Sequence, residues 1–60
     1  MKTIDDLNLT HDIEPVDCGY SVCIYHNGQL IDSAFVSAAL DVDKVAEAIK
    51  QEWADAYNNM

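Results

Sequence analysis

The sequence predicts an α+β fold: a small antiparallel sheet in the order β-β-β-α, with one C-terminal helix packed on one face. Its 60 residues make one domain, 1–60. Three observations carry the prediction. Leu7, Leu9, His11 and Ile13 alternate as a half-buried strand does. Asn27-Gly28 sits between two further apolar runs, and this pair suits the two-residue type I′ turn, whose central residues both need positive φ. Residues 42–58 repeat apolar side chains at helical spacing, without Gly or Pro.

Taken in order, residues 4–13 admit two readings. In one they form the first strand. In the other Thr3 caps a helical turn, with Asp6 three residues on. The strand is preferred, because two strands and a helix make a poor core. Glu14-Pro15-Val16-Asp17-Cys18-Gly19 is read as the loop that follows.

The hairpin comes next. With Asn27-Gly28 as its turn, His26 pairs with Gln29, Tyr25 with Leu30, Ile24 with Ile31, Val22 with Ser33 and Tyr20 with Phe35. That register puts Tyr20, Val22, Ile24, Ile31 and Phe35 on the core face. Ser21, Cys23, Tyr25, Leu30, Asp32 and Ala34 fall on the other, and a slip of one residue would exchange the two sets.

Asp41 is a suitable N-cap for the helix, and Leu40 can staple against Val45. Val42, Val45, Ala46, Ile49, Trp53, Ala56 and Tyr57 form the apolar stripe. Asp43, Glu47, Lys50, Gln51 and Asp55 fall mostly on the solvent side, where Glu47 and Lys50 can pair at i, i+3.

Composition narrows the function. Eleven Asp and Glu against three Lys and Arg give a formal charge of −8. Phosphate contacts need cationic side chains, so direct nucleic-acid binding is not expected, nor is binding to an anionic membrane. The field suits a basic protein partner. Asp5 and Asp6 follow Met1-Lys2-Thr3 without an apolar run, so no signal peptide or membrane span is expected; the cytoplasm, with reduced thiols, is.

Candidate chemistry is sparse. His11, Cys18, Cys23 and His26 have spacings unlike those of zinc sites, and no metal or cofactor is assigned. Cys18 and His26 lack the third group and the pocket that nucleophilic catalysis requires, so the chain is read as a non-enzyme. Carboxylates on the helix can imitate a phosphate array, although Lys44 and Lys50 interrupt them. Tyr25 and Leu30 lie on the face the helix leaves uncovered, where an interface is expected, most simply a homodimer. The candidate partner-binding residues are Tyr25, Leu30, Asp43, Glu47 and Asp55.

Two resemblances add to this reading. Residues Ile13 to Val22 resemble the "EP-x-D-x-GY-x-V" segment of the N-terminal domain of HicB-type antitoxins, and Leu40 to Ile49 is similar to that domain's helix. The resemblance implies a β-β-β-α domain that neutralises a small basic ribonuclease; no site residues follow from it. In size and charge the chain also looks like phage-encoded anti-defence inhibitors of the anti-restriction and anti-CRISPR type. The functional expectation is a small acidic inhibitor of a basic or nucleic-acid-handling enzyme. The alternative is an antitoxin-like or dimeric interaction module without mimicry.

Overall fold

The computed structural model describes all residues from Met1 to Met60. Strands β1 (Leu9–Val16), β2 (Gly19–His26) and β3 (Gln29–Ser37) form one antiparallel sheet in the order β1-β2-β3, and helix α1 (Val42–Asn58) follows. The fold class is the one predicted. At 36 × 19 × 16 Å the molecule has the thickness of one sheet with one helix on it.

Both readings of the N-terminus are present in succession. Thr3 and Asp6 exchange hydrogen bonds: the Thr3 N–H donates to Asp6 Oδ2 (3.1 Å) and the Asp6 N–H to Thr3 Oγ1 (3.2 Å). The turn continues with the Leu7 N–H donating to the Thr3 carbonyl, and Asn8 ends it at a left-handed φ of 53°. The first strand therefore starts at Leu9 rather than Leu7. It also runs through Glu14, Pro15 and Val16, which the sequence reading placed in a loop. Proline is tolerated there because β1 is an edge strand, where a missing N–H need not break a ladder. Only Asp17 and Cys18 connect β1 to β2, and Cys18 takes the left-handed conformation, with φ of 66°.

Gly19 follows that turn because a side chain does not fit there. A Cβ at this position would meet the Val36 carbonyl oxygen and approach Phe35 Cζ to 2.8 Å. Gly28 serves a different purpose. Asn27 and Gly28 have φ of 52° and 81°, the pair of positive values the type I′ turn needs, and no other group is close to Gly28.

The hairpin register corrects the sequence reading. His26 pairs with Gln29 and Tyr25 with Leu30 as expected, but a bulge then makes Ile24 pair with Asp32, Val22 with Ala34 and Tyr20 with Val36. The extra residue on β3 is Ile31. A bulge sets two residues against one and reverses the alternation beyond it. Phe35 consequently leaves the core and is 62% exposed, while Val36 enters it at 3%. Asp32 and Ala34 move with Val36 to the helix side.

The core joins Val22, Ile24, Val36 and Ala46, with Ile13, Ile31, Val42, Val45, Ile49 and Trp53 packed around it. Helix α1 starts where predicted: Asp41 accepts from the Lys44 N–H and its carbonyl from the Val45 N–H. Leu40 remains exposed, so the expected staple has little apolar contact to offer. The buried side of the helix is also rotated from the predicted stripe, taking in Ala54 and Lys50 and leaving Ala56 outside. Lys50 is only 7% exposed, at the edge of a depression that the N-terminal segment also lines. Its ammonium meets Glu47 at 2.9 Å, the pair the spacing predicted, although the lysine was expected in solvent. That segment is fixed to the helix end by Asn58, whose Oδ1 accepts from the Lys2 N–H and whose Nδ2 donates to the Lys2 carbonyl, both at 2.8 Å.

Candidate interaction surface

The helix covers one side of the sheet and nothing covers the other. The register puts four rows on that open side: Thr10, Tyr25 and Leu30; Asp12, Cys23 and Ser33; Glu14, Ser21 and Phe35; Val16, Gly19 and Ser37. Phe35, Leu30 (54% exposed) and Val16 are its exposed large apolar residues. Tyr25 is half-buried between them, and Asp12 and Glu14 line the β1 side.

The sequence-predicted residues divide into two groups. Tyr25 and Leu30 are direct cross-strand partners on the open face. Burial of the Tyr25 phenol pushes its pKa above the ordinary value near 10, and the nearby Cys23 and Asp12 charges act in the same direction. Asp43, Glu47 and Asp55 belong to α1, on the far side of the sheet, so one contact does not unite them with Tyr25 and Leu30. Glu47 is engaged by Lys50, whose hydrogen bond holds the carboxyl below its usual range, with burial opposing it and the Lys50 charge assisting. Asp55 accepts from Gln51 Nε2 at 3.0 Å. Asp43 is exposed and lies in the first helical turn, where a negative charge favours the helix.

Sequence reasoning missed Phe35 and Val16 as surface residues and Val36 as a core residue, and it placed Ala34 on the face of Tyr25 when it faces the helix. The bulge accounts for Phe35, Ala34 and Val36; the extension of β1 past Pro15 accounts for Val16. The acidic neighbours of Tyr25 and Leu30 are those of β1, which the charge count included without placing.

The cysteines and histidines are dispersed. His11 and His26 face the helix, Cys23 lies on the open face, and Cys18 is in the turn at the opposite end of β2 from His26. Eight strand residues separate those two by about 25 Å. His26 belongs to a polar and aromatic cluster: its ring stacks near Tyr57 (centroids 4.7 Å apart), Nδ1 lies 3.4 Å from the Tyr57 hydroxyl, and Nε2 lies 3.4 Å from Asn27 Nδ2.

Two surface depressions accompany these features. One, of about 420 Å³, separates the N-terminal segment from α1, and its polar groups already serve each other, Lys50 with Glu47 and Asn58 with Lys2. The other, of about 260 Å³, lies between β3 and α1 and is lined by Asp32, Glu52, Trp53 and Ala56. No helix is long and apolar enough to cross a membrane. No family model matches the chain, no curated protein matches it, and no solved structure matches it.

Proposed function

We propose that this protein is a small acidic inhibitor that binds a basic, nucleic-acid-handling enzyme through the open face of its sheet. The observation that carries the reading is the uncovered group of Phe35, Leu30, Tyr25 and Val16, bordered by Asp12 and Glu14, on a chain of formal charge −8. Apolar residues gathered on one face and rimmed by charge suit a protein interface. The acidic field speeds the encounter with a basic partner, and the apolar group slows dissociation.

The alternative is an antitoxin-like module without mimicry, supported by the β-β-β-α order, in which the partner would be a small basic ribonuclease. A second copy is the other occupant expected from the sequence. In a two-fold pairing, Asp12 and Glu14 would lie on the shared interface of two chains that each carry −8. The basic partner is therefore put first.

The test is affinity capture from the native cell, followed by measured binding of the purified partner. Phe35→Asp is expected to weaken binding at least about tenfold, mainly through faster dissociation. Reversal of Asp43, Glu47 and Asp55 to Lys is expected to slow association and flatten its salt dependence, with little change in dissociation. A partner that binds Phe35→Asp as tightly as the natural chain would overturn the reading. Sedimentation of the isolated chain as a stable dimer would move the second copy into first place.

A further inference from the structure

We propose that the depression between β3 and α1 is a socket for an arginine side chain of the basic partner. The inference rests on the reading above, and its test uses a small probe so that either can fail without the other. The bulge turns Asp32 toward the helix, where Oδ2 accepts from Trp53 Nε1 at 3.1 Å and Oδ1 from the Ser33 N–H at 2.8 Å. Two neutral donors fix this carboxylate in place without neutralising its charge. The chain's one ion pair, Lys50 with Glu47, lies elsewhere. Glu52 adds a second carboxylate with no cation beside it.

The Trp53 indole lines the same depression, half-buried and oriented by its hydrogen bond to Asp32. Ala56 is one turn further along the helix, and its small side chain leaves the space beside the indole open. An oriented aromatic ring and two carboxylates without a cationic partner, lining one depression of about 260 Å³, match a planar cation. Guanidinium stacks on an indole and offers its edge N–H groups to carboxylates, whereas an ammonium satisfies the charge alone. The depression is also within reach of the proposed interface. β3 is an edge strand, with Phe35 and Leu30 on its open side and Asp32 on its helix side, so a partner seated on the former can reach around the edge.

Trp53 is the only tryptophan, so its emission reports occupancy directly. The full chain is titrated at low ionic strength with hexa-arginine amide and, separately, with hexa-lysine amide of the same charge. The arginine peptide is expected to give a saturable change in emission and to bind roughly fivefold more tightly than the lysine peptide. Glu52→Gln and Ala56→Leu, both at exposed helix positions, should each weaken it by about tenfold. Asp17→Asn removes the same charge in the exposed β1–β2 turn and should change it by less than about twofold. The socket is refuted by an absence of saturation, by equal affinity for the two peptides, or by an effect of Asp17→Asn as large as that of Glu52→Gln. Loss of partner capture by Phe35→Asp alongside such a negative titration would leave the open-face reading standing and remove only the socket.

Discussion

The two faces of the sheet are built from the same three strands, yet they have opposite environments. On the helix side, Val22 and Ile24 are completely buried. On the other, Phe35 and Leu30 are more than half exposed. Apolar content alone does not separate them, since both faces contain large hydrophobic side chains. What separates them is a single helix, which covers one face, and a single extra residue in β3, which decides what the helix meets. Had the hairpin kept its register, Phe35 would lie under α1 and Val36 in solvent. The bulge exchanges a large aromatic for a valine in a thin core, and the aromatic becomes surface.

The largest test of this contrast is truncation on each side. Ile24→Ala is expected to cost about 2–5 kcal/mol, enough to unfold a domain of this size at ordinary temperature. Phe35→Ala should cost under about 1 kcal/mol, since most of the ring is already in water. Urea unfolding of the two variants decides it, and equal losses would break the comparison. Gly19→Ala comes next. The new methyl would meet the Val36 carbonyl, a backbone group that cannot rotate away, for a loss of about 1–3 kcal/mol. Adding Phe35→Ala should not restore that stability, because the carbonyl clash persists.

A smaller effect separates the carboxylates of the two faces. Asp32→Ala removes the acceptor of the Trp53 and Ser33 N–H groups and should cost about 1–2 kcal/mol, with a shift in tryptophan emission. Asp12→Ala, on the open face, should change stability by less than about 0.5 kcal/mol.

The smallest effects follow pH. Glu47 titrates below the usual carboxylate range because of Lys50, and Asp6 does so because of its hydrogen bonds to Thr3. Lowered folded values mean that their stabilisation is present above the ordinary carboxylate pKa and fades as pH falls through the folded one. Tyr25 has the opposite sign. Its raised value contributes stability below the ordinary phenol pKa, which is lost as pH rises through the folded value. Lys50→Met should remove the Glu47 share of the acid dependence, as pH-dependent denaturation would show.

The sequence was legible wherever one local rule acted alone. Asn27-Gly28 named its turn, and Asp41 named its helix start. Thr3 and Asp6 supported a turn, Leu9 to Ile13 supported a strand, and each reading was right about part of the segment. Tyr25 and Leu30 were paired correctly because they lie between the turn and the bulge. Beyond Ile31 the reading failed, because Ala34 and Val36 offer the core as good an apolar set as Phe35 does. Which set is buried depends on a helix distant in sequence. Lys50 was misplaced for a related reason: its burial comes from tertiary packing that helical spacing does not show. Asp32 and Trp53 each carried a legible residue type, but only the bulge brings them together.

The link between Asn58 and Lys2 has a consequence for how the molecule holds together in time. It joins residues 56 apart in sequence through two hydrogen bonds. Closing such a loop in an unstructured chain would cost roughly 3–4 kcal/mol of entropy, more than two surface hydrogen bonds return. Once the hairpins have formed and the helix has docked, the remaining separation is short and closure is nearly free. The contact therefore behaves as a latch that engages last and only on a completed structure, which ties the two extremities to the same cooperative event as the core.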